Sequence, residues 1–185
     1  MHPAVQAAIV GVALALWLFP LLKRRSENRS RTVQSIDHRA RWGVLLEALG
    51  YSLVWQSDFW NRTPELWRAA LSIALLLIAV TISFQAANAL GSQLRIDASL
   101  STDHKLIRSG PYRYVRHPVY LSFFLLVLGS GLMLATWPWI LAALVVFLCG
   151  TEIRVHVEDA LLAGRFGQEF DQYRHSVSAY LPGVR

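Results

Sequence analysis

Residues 118–151 read PVYLSFFLLVLGSGLMLATWPWILAALVVFLCGT, 34 residues without a charged side chain. A helix needs roughly 20 apolar residues to cross the hydrocarbon core of a bilayer. The run is therefore too long for one crossing and just long enough for two short ones. Trp137-Pro138-Trp139 lies near its middle, where proline interrupts a helix and tryptophans favour the membrane interface. The stretch reads as a tight helical hairpin.

Working outward, Ala69–Leu94 is uncharged for 26 residues and reads as another span. Pro3–Leu22 is uncharged for 20 residues. A cleaved signal peptide places basic residues before its apolar run; here Lys23-Arg24-Arg25 follow it. The segment reads as a retained first helix with its N-terminus outside. Between these, Trp42–Trp60 is a weaker span carrying Glu47 and Asp58, and a carboxylate inside a span must face other helices or a cavity. The expectation is an all-α integral membrane protein with five transmembrane helices in one domain over residues 1–185. Its spans fall at about 3–22, 42–60, 69–94, 118–136 and 138–155, and the last two form the hairpin.

Charge placement agrees with that count. Five spans and an external N-terminus put residues 23–41, 95–117 and 152–185 in the cytosol. These segments hold 16 of the 18 Lys and Arg residues, all but Arg62 and Arg68. Such one-sidedness is what the positive-inside rule demands. It accounts for the net charge of +6 without nucleic acid as a partner. A 54% hydrophobic, 16% charged composition excludes a disordered chain, and the single Cys149 excludes a disulfide scaffold. Residues 23–41 read as a polar connector, an interfacial helix against anionic headgroups.

The unusual residues flank the hairpin. Residues 103–122 read DHKLIRSGPYRYVRHPVYLS, with a turn at Gly110-Pro111 and a helix start at His117-Pro118. After the hairpin, residues 151–182 read TEIRVHVEDALLAGRFGQEFDQYRHSVSAYLP. Arg154 and Glu158 are four apart and share a helix face, with Asp159 next to Glu158. Taken alone, the first segment could be interfacial anchors and the second a solvated ion pair.

Together the two segments resemble the isoprenylcysteine carboxyl methyltransferase family and its phospholipid methyltransferase relatives. The family's histidine, apolar pair, Gly-x-Tyr turn and Arg-His-Pro-x-Tyr correspond to His104, Leu106-Ile107, Gly110-Pro111-Tyr112 and Arg116-His117-Pro118-Val119-Tyr120. Its later pattern is met by Arg154, Glu158-Asp159, Leu161-Leu162, Phe166-Gly167-Gln168-Glu169-Phe170 and Tyr173, with Pro182 beyond. Two positions depart. Ser122 stands where the family pattern has glycine, and Asp159 replaces a glutamate.

The resemblance implies a cytosolic pocket for S-adenosyl-L-methionine, built without a dinucleotide fold. The only Gly-x-Gly, Gly129-Ser130-Gly131, lies inside a span and reads as helix packing. On the cofactor side the resemblance sets His104, Leu106, Ile107, Gly110, Tyr112, His117, Pro118, Tyr120, Glu158 and Asp159. The three aromatic side chains at 112, 117 and 120 would line the pocket, and the two acids would take the ammonium or ribose hydroxyls. Arg154 and Glu158 are the catalytic candidates, Arg154 by a forked pair of bonds to an acceptor carboxylate. The partner implied is a lipophilic methyl acceptor arriving through the membrane lipids, with an isoprenylcysteine carboxylate as the family's type. An amine acceptor, as in phospholipid methylation, would need a proton acceptor, for which His156 and Glu152 are candidates. An NADPH-dependent sterol reductase resembles the C-terminal pattern but carries further spans, and a non-enzymatic membrane scaffold is the remaining alternative. No metal site is expected, since His104, His117, His156 and His175 lack close ligand spacing.

Overall fold

The structure is a computed structural model that describes residues 1–27, 33–36, 38–56, 59–61, 63–94, 99–101 and 105–180. Among the described residues six α-helices carry it: α1 (Pro3–Glu27), α2 (Ala40–Leu53), α3 (Leu66–Leu90), α4 (Pro118–Leu134), α5 (Trp137–Phe166) and α6 (Gln168–Ser176). Helices Pro3–Arg24, Leu66–Leu90 and Trp137–Phe166 are each long and apolar enough to cross a membrane. The chain is a multi-pass membrane protein.

The hairpin turn falls where the sequence puts it. α4 ends at Leu134, Thr136 precedes α5, and Pro138 occupies the first turn of α5, where its missing N–H costs nothing. Arg68 of α3 is buried there. Its Nη2 donates to the carbonyl of Ala135 at 2.6 Å, and its guanidinium lies 5.2 Å from the Trp137 ring centre. A buried basic residue of α3 thus closes the hairpin.

Two elements differ from their expected bounds or type. The second span was expected over 42–60, but α2 stops at Leu53, followed by single 3₁₀ turns at Val54–Gln56 and Phe59–Asn61. Fourteen residues reach only about 21 Å, against ~30 Å for the hydrocarbon core. The connector after α1 also holds no interfacial helix among its described residues. Val33–Ile36 is instead a strand, β1, paired antiparallel with β2 (Ser99–Ser101) in the register Val33↔Ser101 and Ile36↔Ser99. Each strand meets the other's backbone donors and acceptors, which a lone polar connector would leave to solvent.

The two arms of the hairpin pack on different partners. α4 lies along α3, and α5 lies along α2. Small residues let both pairs approach. A Cβ on Gly43 of α2 would stand 2.7 Å from the Gly150 carbonyl of α5, and one on Gly150 would stand 2.6 Å from the Gly43 carbonyl. On the other arm the Ser72 hydroxyl donates to the Gly129 carbonyl at 2.7 Å, and Gly129 sits against Leu76. The glycine pair at 129 and 131 is helix packing, as expected. α1 packs on α3 and α4, and its Trp17 and Leu21 join Leu76, Leu126 and Phe147 in the main apolar core.

Candidate functional site

Where α4 begins, three segments converge. Pro118 opens α4, and the preceding residues bond to the C-terminal segment after α6. Arg116 N–H donates to the Ser178 carbonyl and His117 N–H to the Ala179 carbonyl, each at 2.8 Å. This parallel bridge ties the Arg-His-Pro motif to residues far along the chain. The Tyr173 hydroxyl of α6 donates to the Tyr112 carbonyl at 2.5 Å, fixing the turn at Gly110–Arg113.

Behind this clasp a line of alternating charges runs from α2 to the motif. Glu47 Oε2 lies 3.0 Å from Arg154 Nη1, and Arg154 Nη2 lies 3.6 Å from Glu158 Oε1. Glu158 also accepts a hydrogen bond from the Tyr120 hydroxyl and faces His117 Nδ1 at 3.3 Å. His117 Nε2 is 2.9 Å from Asp159 Oδ1, and Asp159 Oδ2 is 3.0 Å from Arg116 Nη2. The Arg154 guanidinium lies 5.0 Å from the Tyr120 ring centre. Every charge in the line has an opposite neighbour, which is the condition for keeping so many out of water.

His117 carries a charge because of that setting. Burial works against its cationic form, but the hydrogen bonds it donates to Asp159 and Glu158 and the charges of those carboxylates outweigh it and push its pKa up to about 9. Both ring nitrogens then donate, one to each carboxylate. Burial raises the Tyr112 hydroxyl well above its ordinary value, so it stays a neutral phenol.

A cavity of about 490 Å³ opens onto this line. At its polar end stand Leu106, Ile107, Tyr112, Arg116, His117, Tyr120, Glu158 and Tyr173, with Arg154 and Glu47 beside them. Its other walls are mostly apolar, from Leu14, Leu18 and Leu21 of α1, Val44 and Ala48 of α2, and Val119 and Phe123 of α4, with Gln93 and Lys105 also in the lining.

Of the residues singled out from the sequence, Leu106, Ile107, Tyr112, His117, Tyr120, Arg154 and Glu158 meet in this one cavity. Gly110, Pro118 and Asp159 are not in its wall: Gly110 turns the chain with φ of +61°, Pro118 starts α4, and Asp159 is engaged by Arg116 and His117. His104 and Pro182 lie outside the described residues. His156 and Glu152 pair with each other on an exposed face of α5, away from the cavity. Arg116 and Tyr173, matched to the motif pattern but given no role from the sequence, also line the cavity, and Arg116 donates to the carbonyls of Arg174 and Val177. The uncharacteristic Glu47 inside an apolar stretch was the one signal for the α2 contribution.

Residues 67–169 match the phospholipid methyltransferase family. The chain belongs to that family. The matched region holds the hairpin, the Arg-His-Pro motif and the Glu158-Asp159 pair. A protein-S-isoprenylcysteine O-methyltransferase from Schizosaccharomyces pombe is 36% identical over 80 residues, 43% of this chain and 34% of that protein. A nickel-cobalt-cadmium resistance protein from Alcaligenes xylosoxydans is 27% identical over 141 residues, 76% of this chain and 62% of that protein. The chain thus spans between a third and two thirds of the length of these relatives. A solved structure of a eukaryotic intramembrane Ras methyltransferase, isoprenylcysteine carboxyl methyltransferase, superposes with a TM-score of 0.63 at 18% identity, covering 98% of this chain and 76% of that one. That likeness establishes a shared fold.

Proposed function

We propose that the chain is an S-adenosyl-L-methionine-dependent methyltransferase of the membrane, acting on the carboxylate of a lipophilic, isoprenylcysteine-like acceptor. The observation that carries this reading is one cavity with a charged, aromatic end and an apolar end. A water-soluble donor and a lipid-dissolved acceptor have to meet in such a place.

The residues present fit the donor. Glu158 offers a carboxylate to an ammonium or to ribose hydroxyls, and the faces of Tyr112 and Tyr120 favour a sulfonium by cation–π attraction. The guanidinium of Arg116, beside the same end, suits a carboxylate. The backbone of Leu106 and Ile107 adds donors and acceptors for the flat base. Asp159 acts at one remove, by holding Arg116 and His117 in place.

When bound, S-adenosyl-L-methionine supplies an electrophilic methyl group, and the carboxylate oxygen that takes it displaces a neutral thioether. A carboxylic acid is already ionised at neutral pH, so no general base is required. The protein's work is alignment and exclusion of water. Arg154 orients the acceptor carboxylate, and Glu47 and Glu158 hold the guanidinium that does so. Five membrane crossings, with the N-terminus outside and the cavity's polar end at the cytosolic face, complete the reading. α2 and α4 would then be crossings shorter than the core.

Calorimetric titration of the purified protein in detergent with S-adenosyl-L-methionine and, separately, with NADPH tests the reading. Heat with the first and none with the second is expected. The reverse pattern would move the chain to the reductase class.

A further inference from the structure

A tryptophan deep in an apolar helix must find a partner for its indole N–H. Trp17 sits six positions before Lys23 in α1 and is buried. Its Nε1–H donates to the Ser122 hydroxyl oxygen of α4 at 2.8 Å. Ser122 is fully buried and its own hydroxyl donates to the Val119 carbonyl at 2.7 Å. The Trp17 carbonyl in turn accepts from the Ser83 hydroxyl of α3 at 2.8 Å. One residue is thus pinned by its side chain to one helix and by its backbone to another.

The pinned ring forms a wall. It lies 4.7 Å from Phe123, tilted by 33°, and Phe123 is 6.2 Å from Tyr51 and edge-on to Phe147 at 4.9 Å. Trp17, Tyr51 and Phe123 all face the cavity. They come from three helices and line its apolar part, Phe123 lying more than a turn further along α4 than His117. A cavity of about 490 Å³ that also receives a donor leaves limited room for a hydrocarbon chain.

We propose that Trp17, held by Ser122, is a specificity-determining residue that stops the acceptor's hydrocarbon tail and selects short prenyl tails over long ones. The proposal rests on the cavity being a methyl-acceptor site. Ser122 is central to it, because glycine at that position has no hydroxyl to accept the indole N–H. The chain's departure from the family pattern is therefore the feature that fixes the wall.

The test is a ladder of amine-blocked S-geranyl-, S-farnesyl- and S-geranylgeranylcysteine, measured for binding and for methyl transfer with wild type, Trp17→Ala, Trp17→Phe and Ser122→Gly. Wild type should favour geranyl over geranylgeranyl by about tenfold or more, the scale on which a hydrophobic pocket discriminates by size. Trp17→Ala should erase most of that preference by lowering KM for the longest tail. Ser122→Gly should shift it the same way by less, and Trp17→Phe, which keeps most of the ring's bulk, should retain much of it. An unchanged ladder in Trp17→Ala, or an equal loss of kcat for every tail, would overturn the proposal. If Trp17→Ala does not fold, the comparison of Ser122→Gly with wild type decides by the same criterion. Length-dependent binding without methyl transfer would uphold the wall and remove the methyltransferase reading. Absence of tail binding, with S-adenosyl-L-methionine still bound, would do the opposite.

Discussion

Glu47 Oε2 on α2 and Arg154 Nη1 on α5 stand 3.0 Å apart, both buried, joining positions 107 residues apart in the chain. Thr151 adds a hydroxyl donor to the other Glu47 oxygen at 3.3 Å. The pair locks the short α2 against the helix that carries the charged line. Removing one partner leaves a buried charge uncompensated, at a cost of about 3–5 kcal/mol. Glu47→Ala should therefore lower the thermal midpoint in detergent substantially, and Glu47→Gln, which keeps an acceptor, should lower it less. Equal midpoints for wild type and Glu47→Ala would show that the pair contributes nothing.

Arg154 and Glu158 are given different partners in the proposed reaction, so their variants should separate. Arg154→Ala should abolish methyl transfer and leave S-adenosyl-L-methionine binding largely intact. Glu158→Ala should weaken binding itself by about tenfold or more, the value of a lost charge-assisted hydrogen bond. Parallel calorimetry and turnover on the two variants give the answer. Equal losses of donor affinity would contradict the division of roles.

His117 makes stability depend on alkaline pH. Its folded-state pKa of about 9 lies above the ordinary imidazole value near ~6.5. The charged ring's contribution is therefore complete below that ordinary value and is lost as pH rises through about 9. The thermal midpoint should fall between neutral pH and pH values past 9. Asp159→Asn, which removes a charge facing the ring, should move the fall to lower pH. Midpoints that follow the same pH curve in both proteins would rule out the His117–Asp159 contact as its source.

The α2–α5 crossing depends on hydrogen in place of a methyl group. Gly150→Ala puts a Cβ 2.6 Å from the Gly43 carbonyl, and overpacking of this kind costs about 1–3 kcal/mol. Gly164, also in α5, has nothing within 4 Å of its would-be Cβ, so Gly164→Ala should stabilise by roughly 0.5–1 kcal/mol through helix propensity alone. Opposite shifts in thermal midpoint are the expected result.

The long spans and the hairpin turn were legible because they are local: an uncharged run and a Trp-Pro-Trp break can be read without knowing any neighbour. The end of α2 at Leu53 was not, since its apolar run continues past the helix and the stop depends on what it packs against. The motif residues Tyr112, His117, Tyr120 and Glu158 were legible through resemblance, and they do share one cavity. Which of Glu158 and Asp159 lines it was not, because consecutive helical residues point about 100° apart and only the fold says which face is inward. Pairs such as Glu47–Arg154 and Trp17–Ser122 join residues more than 100 positions apart, and no local pattern announces them. Ser122 was legible only as a departure from glycine; buried against Trp17, it adds a contact between helices.

Transfer of an isotopically labelled methyl group from S-adenosyl-L-methionine to amine-blocked S-geranylcysteine, by the purified full chain in lipid nanodiscs, tests the central claim most directly. The account predicts label recovered as a base-labile methyl ester on the acceptor, absent with Arg154→Ala. Label recovered only on an amine of an added phospholipid, or no transfer by a folded protein that binds the donor, would contradict it.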